Sequence, residues 1–135
     1  MKTYTKEQKA AYFKKLRQDW RKAKELADVD EITAIMINHG LQKFSPYSFA
    51  YVQMQMNILG LEGVPYIDCK TFQGWEENGF RVKKGEKSQL GGIVWRTANG
   101  KQASDEDVDD EKKASYVFPK AYALFHKSQV EEINA

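Results

Sequence analysis

The 135-residue chain is 41% hydrophobic and 13% aromatic with a formal net charge of +2, a balance that supports a packed core without disulfide or metal staples and excludes disorder. Near-neutrality hides segregation: Arg81 to Lys101 holds six Lys or Arg and one acid, and Asp105 to Glu111 holds six acids and no base. A single cysteine, a charged N-terminus without a signal-peptide core and no apolar run near the roughly 20 residues of a membrane span predict a cytoplasmic protein with no membrane partner.

Thr5 and Gln8 have the spacing of a capping box, in which each side chain satisfies the other's free backbone N–H, and a helix is predicted from there to about Ala27. Tyr12, Phe13, Leu16, Trp20, Ala23 and Ala27 recur at helical spacing as its apolar face. Lys14, Arg17, Arg21 and Lys24 fall opposite, either as a solvated face or as a phosphate-contacting stripe. Asp28 or Asp30 caps a second helix that carries Ile32, Ile35, Met36 and His39 on one face and stops at Gly40. His39 is therefore read as a packed or boundary histidine rather than a ligand.

Pro46 favours a helix start, and Tyr47 to Leu59 is apolar around most of its circumference, the pattern of a helix buried on two sides. Ala50, Gln53 and Asn57 form its small or polar strip. Thr71 caps a short helix to about Asn78 that carries Trp75, with Gly79 as its stop. Leu90 to Arg96 reads as a strand and Asn99-Gly100 as a hairpin turn. The acidic stretch 104–113 reads as an exposed loop. Tyr116–Phe118 and Ala121–His126 read as strands interrupted by Pro119, and Ser128 as the cap of a last short helix. The expected fold is α+β, with N-terminal helices packed on a small, mostly antiparallel sheet formed by the C-terminal half, in one domain over residues 1–135.

Catalytic patterns are missing. His39 and His126 match no HExxH spacing, no CxxC, GxSxG or P-loop occurs, and the acidic stretch lacks the spacing of a calcium loop. No enzymatic activity, metal or cofactor is expected, and Cys69 is read as structural. The informative segment is Thr71 to Arg96, TFQGWEENGFRVKKGEKSQLGGIVWR. Its turn places Lys83, Lys84 and Lys87 around Gly85, with Arg81 before and Arg96 after. Lysines supply mobile point charges for phosphates, and a glycine at φ > 0 lets the backbone approach a ligand. Trp75, Trp95, Tyr47 and Tyr66 are possible stacking platforms. Trp75 is expected in the core, and Trp95, followed by Arg96, is expected to be the more exposed. Aromatic faces interleaved with cations suit single-stranded nucleic acid, whose unpaired bases are free to stack.

Three stretches carry a family resemblance: Phe44-Ser45-Pro46-Tyr47-Ser48-Phe49; Thr71-Phe72, Trp75 and Gly79 followed by Val82-Lys83-Lys84-Gly85-Glu86-Lys87; and Tyr122 to Glu131, reading YALFHKSQVE. In this order they resemble the N-terminal single-stranded-DNA-binding domain of ArdC-type antirestriction proteins over roughly residues 44–133, with 1–43 as a helical extension. Gln53 and Gln55 lie earlier on the third helix than the family's usual glutamine, and Ala50 and Tyr51 stand near its usual asparagine. The resemblance implies binding of single-stranded DNA, in preference to RNA, and an antirestriction or counter-defence role on a phage or plasmid. The family domain is often fused to a zinc metallopeptidase, whose HExxH-type signature this sequence lacks. The residues nominated for nucleic acid, from the basic turn, the aromatics and the resemblance together, are Lys83, Lys84, Lys87, Arg81, Arg96, Trp95, Tyr47, Tyr66 and Gln53. The alternative is a protein-binding inhibitor of a host defence nuclease, in which the acidic stretch imitates a phosphate backbone.

Overall fold

The helices begin where the sequence supplies a side-chain acceptor for the first free N–H groups. The computed structural model describes residues 5–97 and 117–133. Its helices are α1 (Lys6–Leu26), α2 (Val29–Asn38), α3 (Pro46–Leu59) and α4 (Phe72–Glu77). Thr5 Oγ1 accepts from Gln8 N at 3.1 Å while Gln8 Oε1 accepts from Thr5 N at 2.8 Å, completing the capping box of α1. Asp28, rather than Asp30, caps α2 by accepting from Glu31 N at 3.1 Å. Ser45 caps α3, with Pro46 at its first turn, and Thr71 caps α4. Such caps each contribute about 1 kcal/mol. Gly40 and Gly79 follow α2 and α4 in the left-handed region, as the sequence predicts.

The fold is α+β. Strands β1 (Cys69–Lys70), β4 (Val117–His126) and β3 (Leu90–Thr97) form an antiparallel sheet in the order β1-β4-β3. A separate antiparallel pair joins β2 (Phe80–Val82) to β5 (Val130–Glu132), which follows a 3-10 turn at Lys127–Gln129. His126, not Ser128, caps that turn, its ring accepting from Ser128 N.

Strand alternation divides the core in two. Ile93, Trp95 and Val117 join Leu16, Trp20 and Ala23 of α1 and Ala50 and Tyr51 of α3. Leu90 and Leu124, on the opposite face, join Phe49, Val52 and Met56 of α3 with Met36, Leu41, Tyr66 and Cys69. α3 thus serves both clusters, which explains its apolar circumference. It also seals the outer edge of β3: Gln55 Nε2 donates to Gly91 O at 2.6 Å and Gln55 Oε1 accepts from Gly91 N at 3.0 Å. One side chain thereby satisfies both backbone groups of an edge residue.

Three sequence expectations change. Pro119 does not interrupt β4. It pairs opposite Trp95 in a continuous strand. Gly91 directs both backbone groups outward to Gln55, so by alternation Trp95 and Pro119 form a non-hydrogen-bonded pair. The proline nitrogen therefore faces the other edge of β4, where, among the described residues, β1 pairs only with Phe125 and His126, so its missing N–H costs no bond to β3. His39 is exposed at the end of α2 rather than packed, because the helix stops there and the chain turns at Gly40. The basic residues of α1 do not share a solvent face. The Arg17 guanidinium donates to Val117 O and lies 5.4 Å above the Trp95 ring, and the Lys24 ammonium lies 4.4 Å above Tyr47. The hairpin signal at Asn99-Gly100 and the acidic stretch 104–113 lie outside the described residues. Among the described residues, no helix is long and apolar enough to cross a membrane.

Candidate nucleic-acid interface

The basic turn connects β2 to β3 and is built on a buried glutamine. The register of β2 on β5 places Val82 opposite Val130, so the chain leaves β2 directly over the 3-10 turn. Lys83 N donates to Gln129 O at 2.9 Å, and Glu86 N donates to Lys83 O at 3.1 Å, closing the turn. Gly85 takes φ +89°, which a side chain would oppose. Gln129 is only 2% exposed. Its Oε1 accepts from His126 N at 3.0 Å, and its Nε2 donates to Lys87 O at 2.7 Å and to Glu86 Oε2 at 3.3 Å.

His126 is held in turn. Its Nε2 donates to Glu62 O at 2.7 Å, which leaves Nδ1 to accept from Ser128 N at 3.2 Å. Ser88 Oγ, at the far end of the turn, lies 2.8 Å from Leu124 O. The backbone from Lys83 to Ser88 is therefore fixed, while the side chains of Lys83, Lys84 and Lys87 are exposed. None of the three forms an ion pair among the described residues. Lys83 Nζ rests 3.3 Å from Ser128 O. Arg81, on the neighbouring strand, is already paired with Glu131 at 3.1 Å.

The other nominated residues do not join this turn. Trp95 is 4% exposed, packed edge-on against Trp20 at 5.5 Å, so the expectation of an exposed stacking platform fails. Its position in β3 places it on the face covered by α1 and α3. Trp75 is in the core as expected, its indole N–H donating to Phe125 O at 2.8 Å. Tyr66 is also buried, its hydroxyl 3.0 Å from that of Tyr122, and burial pushes its pKa far up. Tyr47 is half-buried beneath Lys24, and Gln53 is half-buried and donates to Asn57 at 3.0 Å. Arg96 is half-buried toward the other end of β3 from Leu90, about 20 Å along a strand that rises about 3.4 Å per residue.

A second feature escaped the reading of the sequence. A half-open groove of about 710 Å³ lies between the loop leading into α3 and the β1–α4 segment. The first contributes Lys43, Phe44 and Ser45, with Ser48 from the first turn of α3, the second Lys70, Thr71, Gln73 and Gly74, and Tyr66 and Tyr122 also line it. Phe44 stacks on Tyr66 with ring centroids 3.8 Å apart and planes 5° from parallel. Lys43 Nζ lies 5.1 Å from the Phe44 centroid, and Lys70 Nζ donates to Tyr66 O at 2.9 Å. Burial pulls the Lys70 pKa below the ordinary lysine value, against the opposing charge of Asp68. A Cβ on Gly92 would lie 2.1 Å from Tyr122 Cζ, so the glycine is what lets that ring cross β3. The signals in the sequence were Phe44 to Phe49 and Thr71 to Trp75, two of the stretches that carry the family resemblance.

Among the described residues, no three His, Cys, Asp or Glu side chains gather to hold a metal ion. No protein-family model, curated protein or solved structure matches the chain.

Proposed function

We propose that this protein binds single-stranded DNA, in preference to RNA, and that it serves a phage or plasmid by countering host restriction, as its resemblance to the ArdC-type domain implies. The observation that carries the binding half of this reading is the turn at 83–88. Three exposed lysines, without carboxylate partners among the described residues, stand on a backbone pinned by a buried glutamine. A fixed backbone limits where the three charges can go, and the flexible lysine stems still adapt to the spacing of phosphates on a single strand.

Anisotropy titrations with single-stranded DNA, duplex DNA and RNA oligonucleotides at several salt concentrations test the reading. Three to five phosphate contacts give a slope of log K against log[salt] of about −2 to −3.5 for single strands. Replacing Lys83, Lys84 and Lys87 by alanine is expected to flatten that slope by about 2. An unchanged slope and affinity in the triple variant would move the site elsewhere. Absence of single-strand binding at low salt would remove the reading. The counter-defence half is tested by expressing the protein in a restricting host, where unmodified phage DNA should then establish more often; an unchanged efficiency refutes it.

A further inference from the structure

We propose that the groove beside α3 seats one unpaired base of the bound strand against Phe44, with the adjoining phosphate held between Lys43 and Lys70. This rests on the single-strand reading above and adds a second contact point, distinct from the lysine turn.

Size and shape come first. About 710 Å³ lies within the roughly 300–1,000 Å³ of small-molecule sites, enough for a base with its sugar and phosphate. The groove is half open, so a strand can enter and leave it while one base is inside. A base in a duplex has both faces covered by its neighbours and cannot be offered this way, whereas an unpaired base can.

The aromatic wall is built to stay flat. Phe44 is half-buried and lies nearly parallel on Tyr66. Tyr66 is fixed from three directions: a left-handed φ of 67°, the Lys70 ammonium on its carbonyl, and the Tyr122 hydroxyl on its own. A left-handed conformation in a bulky residue is uncommon and stands where the surroundings determine it. Phe44 lies on Tyr66 and packs against the core beside it, and the Lys43 ammonium lies over its ring. A base can take that place on the ring, and the displaced ammonium then has a phosphate to meet.

Charge and polarity agree. Lys43 and Lys70 line one groove from separate segments, so an anion placed between them is attracted by both ammonium groups. The Ser45 and Ser48 hydroxyls, 3.0 Å apart, provide polar partners beside the ring. Glu77 lies on the same lining and would repel a phosphate placed near it, which puts the phosphate on the lysine side.

The test compares the intact wild-type chain with Phe44→Leu, Lys43→Ala and the triple-lysine variant, using a thymidine oligonucleotide. Phe44→Leu is expected to weaken binding about 5- to 150-fold, the range for loss of one stacked base, with the salt slope kept. Lys43→Ala, at an exposed position, is expected to reduce the slope by about 0.7. Photo-crosslinking of an oligonucleotide carrying 5-iododeoxyuridine reports on the wild type without any mutation, and the crosslink is expected in the peptide containing Phe44. If both single variants bind as wild type does while the triple-lysine variant is impaired, the groove inference is overturned and the single-strand reading stands. Crosslinks confined to other peptides overturn it as well. If the wild type binds no oligonucleotide, the single-strand reading falls and the groove inference falls with it.

Discussion

Replacing Gln129 by leucine removes a buried amide of similar size without touching any charge. Three hydrogen bonds are lost, to His126 N, Lys87 O and Glu86 Oε2. They are not equivalent. His126 is 4% exposed, so its N–H is left without a partner or water, at about 1–3 kcal/mol. Lys87 and Glu86 are exposed, so water replaces the amide there and each loss costs about 0.5–1 kcal/mol. The sum is about 2–5 kcal/mol, read as a lower urea midpoint at unchanged m value. Amide exchange at His126 and Lys87 should accelerate, and single-strand affinity should fall although no lysine has been removed.

Gln129→Glu separates the contributions. It keeps the acceptor for His126 N but turns a carboxylate toward Lys87 O and the Glu86 carboxylate. Its cost should therefore shrink as the pH falls to about 4, where glutamate regains a proton. A Gln129→Leu protein within 0.5 kcal/mol of wild type, with His126 protected as before, would refute the idea that this side chain holds the turn.

The remaining predictions concern the core. Trp95→Ala should cost about 3–5 kcal/mol through the cavity it leaves, measured by chemical denaturation; an unchanged midpoint would mean the indole is not buried. Cys69 is fully buried and burial pushes its thiol up to about 12, so iodoacetamide at pH 8 should modify it only after unfolding, as mass spectrometry would register. Burial raises Tyr51 from 10.0 to about 12 and raises Tyr66 and Tyr122 as well. The folded state therefore holds protons that the unfolded state loses near pH 10, and stability should fall as pH rises from about 10 toward 12. A urea midpoint that stays level through that range would contradict the burial of these hydroxyls.

The parts of the fold that were legible in the sequence are those decided by neighbours within a few residues. Thr5 with Gln8, Asp28, Pro46 and Thr71 locate helix starts through bonds that span three residues, and Gly40 and Gly79 locate ends. The lysine turn was legible for the same reason. The side on which Trp95 faces was not, because it depends on the parity of its position in β3 and on α1 covering that face. The following Arg96 suggested exposure but points the opposite way from Trp95 in an alternating strand. Pro119 misled because a strand breaker costs no bond to β3 at a non-hydrogen-bonded position, and register is not a local property.

The candidate site follows the same division, and this bears on whether its lysines are incidental. Solvated surface turns rich in lysine are common and need nothing beneath them. This one rests on Gln129, an amide whose burial is costly unless its bonds are made. Its side chain bonds to groups of the turn, Lys87 O and Glu86 Oε2, and to the N–H of His126, which in turn reaches back to the loop at Glu62. Val82 to Lys87 and Tyr122 to Glu131, read in the sequence as separate stretches of one resemblance, thus meet through the pairing of β2 with β5 and through the buried Gln129 side chain. Phe44, Ser45 and Ser48 line one groove together with Thr71, Gln73 and Gly74. Polar groups committed to holding a turn and an aromatic wall in place favour positioned contacts over a diffuse positive surface. A diffuse surface would lose affinity in proportion to the charge removed, wherever it lay. Positioned contacts lose it also when Gln129 is changed and the charge is not.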